Sequence, residues 1–261
     1  MRPEKTDLDI VEELSEYFSE ISDSMTLLTR VEAPSTYGSP WTEITQNEVI
    51  KEVRALKKPK SMVYGDMVPS TVNPLVQTAA IFLTPIINDS FASLSTAEVW
   101  RKETQTVIPK CNNSASFNEL RNLSCTNLFS KLMEVFLLKR LSREVNTNRN
   151  QYGGIKGSGT NHFLINTYHN IMTALENNRN AVSIISVDFS KAFNRMDHHH
   201  CLRAFEHKGA STPSLQIIAA LLRDRSMSIK VGNVLSASRH IKGGSPQGTK
   251  FGNFLFTVTI D

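Results

Sequence analysis

The stretch Ser183-Ile-Ile-Ser-Val-Asp-Phe-Ser-Lys-Ala-Phe193 limits what this chain can fold into more than any other. Residues 181–189 are crowded with β-branched side chains, which suit a pleated strand and lose rotamer freedom in a helix. So apolar a run is expected to be an interior strand, with Asp188 at its carboxyl end projecting into a cleft. About fifty positions later, Gly243-Gly-Ser-Pro-Gln-Gly-Thr249 reads as a flat loop that other groups can approach closely. A carboxylate at a strand end followed by such a loop suits in-line phosphoryl transfer, where magnesium must be held against phosphate oxygens by hard oxygen ligands.

These two stretches, read as Val187-Asp-Phe-Ser-Lys-Ala-Phe-Asn-Arg-Met-Asp-His198 and Gly243-Gly-Ser-Pro-Gln-Gly-Thr-Lys-Phe-Gly-Asn-Phe-Leu-Phe256, resemble the first two palm motifs of non-LTR (LINE-type) retrotransposon reverse transcriptases. The resemblance extends upstream through Leu56-Lys-Lys-Pro-Lys-Ser61 with Gly65-Asp66, Val99-Trp-Arg-Lys102, Val107-Ile-Pro-Lys110, Leu120-Arg-Asn-Leu-Ser124 and Gln151-Tyr-Gly-Gly-Ile-Lys156. The order is the family's, and the likeness covers most of the chain from about Thr42 onward.

The resemblance implies roles for particular residues. Asp188 would be the catalytic, metal-binding carboxylate, with the backbone carbonyl of Phe189 completing that side of a Mg2+ site in the complete enzyme. Phe193 would be the steric gate, excluding ribonucleotides because its ring occupies the space a 2'-hydroxyl needs. Backbone amides near Lys191 and Ala192 would face the triphosphate. Pro246, Gln247 and Gly248 would form the turn packed against the incoming nucleotide and template base. Lys110 and Arg121 would grip the triphosphate, a task for which the guanidinium fork of arginine is suited. The implied partners are an RNA template, a DNA primer and dNTPs, with no membrane; oligomeric state is left open and the setting is intracellular, nucleus or cytoplasm.

Each residue also has a plainer reading. Asp188 alone is a strand-end turn former, Pro246-Gln-Gly248 a turn, and Lys110 a solvated charge. The ordered set is what favours the family. His198-His-His200 is expected as a surface cluster at a helix start, since adjacent helical side chains point apart and cannot share one ion. Cys111, Cys125 and Cys201 have no paired spacing, so neither a zinc site nor a disulfide framework is indicated.

The net charge of +4 hides an asymmetry: residues 1–50 hold eleven acidic and three basic side chains, a net of −8, leaving +12 for the remainder. Residues 201–261 contribute eight Lys or Arg against Glu206, Asp224 and Asp261, a candidate phosphate-facing surface. Residues 72–83 are apolar but broken by Asn73, Pro74 and Gln77, and Met1-Arg-Pro-Glu-Lys-Thr6 is no secretory signal, so membrane and export readings are set aside.

With 261 residues, 40% of them hydrophobic, the chain can bury a core as one large domain or two subdomains. The expected class is α+β: right-hand polymerase fingers, mostly helical, plus an incomplete palm of antiparallel sheet with packed helices. The expected divisions are an acidic N-terminal helix and linker over 1–41, fingers over 42–180 and a partial palm over 181–261. Periodicity predicts helices over 8–21, 42–56, 75–93, 126–144, 160–177, 197–207 and 214–224, with Thr45 and Glu48 forming a capping box. Residues 33–40 read as a linker and 57–74 as a loop, while 227–231 and 234–241 read as a hairpin around Gly232-Asn233.

Departures from the family pattern are Asn194 where relatives often have Asp, and Ser61-Met-Val-Tyr-Gly-Asp66 in place of a commoner turn. More seriously, the third palm motif, an aromatic residue, any residue, then two aspartates, is expected beyond position 261, and no Asp-Asp pair occurs in the chain. The isolated chain is therefore expected not to polymerise, and to show marginal solubility. A non-enzymatic RNA- or DNA-binding remnant and an inert helical interaction protein are the alternatives.

Overall fold

One strand organises the computed structural model, which describes residues 5–28, 41–56, 67, 69–112, 116–177 and 181–261. Strand β1 (Lys102–Pro109) pairs antiparallel with β2 (Leu120–Cys125), in the register Thr104↔Cys125, and parallel with β3 (Arg225–Val231), in the register Lys102↔Ser226. On the far side of β3 lie β4 (Val234–Leu235) and β5 (Arg239–Ile241), both antiparallel to it. The sheet is therefore mixed rather than antiparallel as expected, because β1 runs parallel to β3; the expected hairpin around Gly232 forms, but its second arm is split. At the split the Ser236 amide still donates to the Ile229 carbonyl at 2.9 Å, and the Ser236 hydroxyl accepts the Ile229 amide at 2.9 Å.

Helices α1 (Asp7–Glu20), α2 (Gln46–Ala55), α3 (Pro69–Val72), α4 (Val76–Ala92), α5 (Leu128–Glu144), α6 (Thr160–Glu176), α7 (His198–His207), α8 (Thr212–Leu222) and α9 (Lys250–Ile260) accompany this sheet in an α+β fold, α1 packing on its strands and most of the others on one another. Their starts follow from local chemistry. Thr6 with Asp9, and Thr45 with Glu48, form reciprocal capping boxes. Asn127, Asp197 and Thr249 each accept a backbone amide at the first turn of α5, α7 and α9.

The main core lies among α2, α4, α5, α7, α8 and α9, where Val49, Ile87, Phe91, Leu132, Leu137, Phe205, Ile218 and Leu255 are buried. Burial of each such side chain contributes about 1.5–3 kcal/mol. Trp41 stacks on Phe91 with centroids 3.7 Å apart and carries the Arg140 guanidinium on its outer face. A second cluster joins Leu14 and Phe18 of α1 to Met227, Ile229 and Ile241 of the sheet. The acidic helix is therefore packed on the strands, its apolar side inward.

Four sequence expectations fare differently. Residues 181–189 do not form a strand: they carry no regular structure and are exposed, with Ile185 88% accessible. A strand needs a ladder partner, and among the described residues β1 to β5 pair only with one another. Helix α6 buries none of its residues, although Phe163, Ile165 and Tyr168 are large and apolar or aromatic. Residues 69–74, the end of the expected loop, are helical instead. A helical run continues through Ser70–Ala92, and by length and composition alone it would suffice to cross a membrane. Its Val76, Ala80, Leu83, Ile87 and Phe91 nevertheless face the core. Finally, the linker at 33–40 and most of the loop expected at 57–74 lie outside the described residues.

Strands β1 and β2 were not anticipated, because Glu103, Thr104, Gln105 and Asn122 read as polar and yet are buried. Glu103, Gln105 and Asn122 are satisfied in a chain: the Asn122 amide donates to Gln105 at 2.8 Å, Gln105 donates to Glu103 at 2.6 Å, and Arg225 pairs with Glu103. Above them Glu134 of α5 is buried, and loss of solvation pushes its carboxyl up to about 7 from 4.5 against the pull of Arg225. Because the folded value is the raised one, the stabilisation from protonated Glu134 is complete below 4.5 and is lost as pH rises through about 7. Glu134→Gln, always neutral, is expected to gain on the parent by on the order of 3 kcal/mol between pH 4.5 and 8, as read from urea midpoints. An unchanged gap across that range would contradict the buried, protonated state.

Candidate nucleotide site

Two loops carry the candidate residues and are zipped together by their backbones. In residues 189–196 the carbonyls of Phe193 and Met196 accept the amides of Ser245 (2.7 Å) and Gly244 (2.8 Å). Gly244 has φ +83° and lies against the backbone of Phe193 and Asn194, so both its conformation and its space favour glycine.

The Gly244 carbonyl is the anchor. It accepts from His198 Nε2 at 2.8 Å and from the Arg225 guanidinium at 3.2 Å, while Arg225 also reaches Glu103. A carbonyl only accepts, so His198 carries its proton on Nε2. Burial lowers the His198 pKa to about 4, keeping the ring neutral around pH 7. This corrects the surface-cluster expectation: of the three histidines only His200 is fully exposed, and His198 is interior.

The Pro246-Gln-Gly248 turn is held at both ends. Its Gln247 carbonyl accepts the Ser124 amide of β2 at 2.7 Å, and Thr249 caps α9 through the Gly252 amide at 2.8 Å. A Cβ added at Gly252 would stand 2.1 Å from the Pro246 carbonyl oxygen, so the helix start touches the turn backbone directly. From α9, Phe256 stacks on Phe193 with centroids 4.6 Å apart. The ring at position 193 is thereby fixed beside the turn.

The cations are distributed around this unit. Lys110 directly follows β1, and its Nζ donates to the Asn118 carbonyl at 2.7 Å. Lys191 lies over the ring of Tyr17 and donates to its hydroxyl. Arg121 is exposed on β2, opposite Ile108. The expected phosphate-facing run at 201–261 is partly consumed internally: Arg225 is buried on Glu103, Lys208 binds Asp261 at 2.6 Å, and Arg239 and Lys242 pair with Glu12 and Asp23 of the N-terminal region.

Asp188 and Phe189 stand apart, exposed on a segment without regular structure rather than at a strand end. Among the described residues no group of three His, Cys, Asp or Glu is placed to hold a metal ion. The donors from this motif are one carboxylate and one carbonyl, a set that fits a single magnesium ion completed by phosphate oxygens and water, and not a paired site. The structure thus unites Phe193, Pro246, Gln247 and Gly248, brings Lys110 near Lys191, and leaves Asp188 unsupported. Tyr17, Asn118 and Glu103 escape a reading of the sequence, and His198 and Arg225 read there as surface groups, because their partners lie up to 174 residues away.

Residues 108–261 match the family described as reverse transcriptase (RNA-dependent DNA polymerase). The chain is also similar to three curated proteins. One is a retrovirus-related Pol polyprotein from type-1 retrotransposable element R2 of Popillia japonica, 27% identical over 165 residues, covering 62% of this chain and 23% of the relative. Another is a probable RNA-directed DNA polymerase from transposon BS of Drosophila melanogaster, 23% identical over 249 residues, covering 94% and 27%. A third is the RNA-directed DNA polymerase from mobile element jockey of the same species, 24% identical over 234 residues, covering 87% and 25%. The chain spans about a quarter of the length of these relatives.

The anchoring of the loops can be tested by mutation. Arg225→Met leaves Glu103 buried without its partner and is expected to cost about 3–5 kcal/mol. Arg225→Met with Glu103→Leu is expected to recover most of that loss in denaturant unfolding. Equal losses in the single and double variants would show that the ion pair does not hold the loop to the sheet.

Proposed function

The chain belongs to the reverse transcriptase (RNA-dependent DNA polymerase) family, with relatives among non-LTR retrotransposons, and from that premise we propose that it supplies the nucleotide-facing half of an RNA-templated DNA polymerase site. The observation that carries this reading is the zipped pair of loops, which sets the Phe193 ring, the Pro246-Gln-Gly248 turn and the edge of β2 side by side.

In the reaction, a primer 3'-hydroxyl attacks the α-phosphate of a dNTP opposite an RNA template and pyrophosphate leaves. Magnesium, held by Asp188 and the Phe189 carbonyl, would neutralise charge on the phosphate oxygens. Lys110 and Arg121 bind the outer phosphates, Arg121 through its planar fork. The amides near Lys191 and Ala192 donate to the triphosphate. Phe193, held rigid by Phe256, excludes a 2'-hydroxyl by contact. Pro246, Gln247 and Gly248 offer a flat backbone to the nucleotide and its template base.

These 261 residues contain no Asp-Asp pair, and the segment bearing Asp188 has no strand partner among those described. By itself the chain is accordingly proposed to bind without polymerising. A non-enzymatic RNA- or DNA-binding role is the second reading, favoured by the excess of +12 beyond residue 50 alongside that incomplete donor set. A fluorescent RNA–DNA template–primer is expected to bind with an affinity that falls steeply with salt, and magnesium with dNTPs is expected to add no nucleotide. Incorporation that vanishes in Asp188→Ala would overturn the inactivity. No binding even at low salt would overturn both readings.

A further inference from the structure

The N-terminal helix reaches into this site through one side chain. Tyr17 of α1 lies under the Lys191 ammonium, 4.3 Å from Nζ to the ring centroid. Its hydroxyl accepts from Lys191 Nζ and donates to Asn118 Oδ1. The Asn118 carbonyl in turn accepts from Lys110 Nζ at 2.7 Å. One hydroxyl and one asparagine therefore tie together two lysines that arrive on separate parts of the chain. Tyr17 is itself braced by Phe18 and Phe117, at centroid distances of 5.1 and 5.5 Å. The helix beneath it is pinned to the sheet by Leu14 and Phe18.

Lys191 needs such a brace. Its φ is +53°, in the left-handed region that an L side chain enters at a cost. Its carbonyl accepts both the Asn194 and the Arg195 amides at 3.0 Å, so the whole turn through residues 191–195 depends on that conformation. Strained backbone persists where its surroundings over-determine it. Here those surroundings are a cation over an aromatic face and a charge-assisted hydrogen bond.

We propose that Tyr17 is a positioning residue of the nucleotide pocket, holding Lys191 in its left-handed conformation and setting its distance from Lys110 through Asn118. The acidic helix is then a working component of the site. The proposal rests on the assignment of Lys110 and of the backbone amides near Lys191 to triphosphate binding, and its structural half can be tested separately.

The experiment is amide exchange by NMR on the chain itself, with Tyr17→Ala, Tyr17→Phe, Lys191→Gly and the corresponding double variants, alongside equilibrium dialysis of magnesium-dATP. Relative to amides of the β1–β2 ladder, the Asn194 and Arg195 amides are expected to exchange at least about fivefold faster in Tyr17→Ala and about twofold faster in Tyr17→Phe. In the Lys191→Gly background, where glycine takes φ +53° without strain, Tyr17→Ala is expected to add less than about twofold. Affinity for dATP is expected to fall about three- to tenfold in Tyr17→Ala. If Tyr17→Ala also loosens the ladder, Tyr17→Phe decides, since it keeps the ring and removes only the hydroxyl. Unchanged exchange at Asn194 and Arg195, or equal acceleration with Lys and with Gly at position 191, would overturn the proposal. Absence of dATP binding by the parent chain with the exchange effect intact would support the clamp and remove the nucleotide reading.

Discussion

Arg225 joins regions of this molecule that are far apart in sequence. Buried between Glu103 and the Gly244 carbonyl, it fastens β3 to β1 and both of them to the loop that carries Pro246, Gln247 and Gly248. An ion pair taken out of water roughly breaks even against apolar residues, so this one adds little net stability. What it supplies is a fixed relation: with either partner missing, an unpaired charge is left inside. His198 closes the same carbonyl from α7, so strand, helix and loop share one acceptor.

The charge asymmetry of the chain has a local explanation in this arrangement. Glu12 accepts the Ala237 amide at 2.6 Å and pairs with Arg239, while Asp23 pairs with Lys242. Some of the acidic excess of the first fifty residues therefore answers basic residues around β5, so the two electrostatic regions of the sequence meet in a shared interface. Such exposed pairs contribute about 0–1 kcal/mol each, and the apolar contact of Leu14 and Phe18 with the sheet does more to hold α1.

The helices were legible because their signals are local. The period of α5 and the caps at Thr45 and Asp197 lie within a few residues of what they determine. Strands β1 and β2 were not legible, since Glu103, Gln105 and Asn122 are polar and become interior only through Arg225, whose position 122 residues beyond Glu103 no local window contains. Residues 181–189 mark the opposite failure. Their composition favours a strand, but a strand is a property of pairs, and none of the described strands pairs with this segment. Of the candidate site, the motif residues could be named from the chain alone; the brace around them, Tyr17 and Asn118 above all, could not.

The central claim is that the zipped loops at 189–196 and 243–249 form the nucleotide-binding face. Photolabelling the chain with 8-azido-dATP, followed by peptide mapping, addresses it directly. The expected result is labelling concentrated in peptides containing Phe193, Pro246 to Gly248, and Lys110, diminished by excess unlabelled dATP. Label confined to other surfaces, such as the exposed side of α4 or helix α6, and unaffected by competitor, would contradict it.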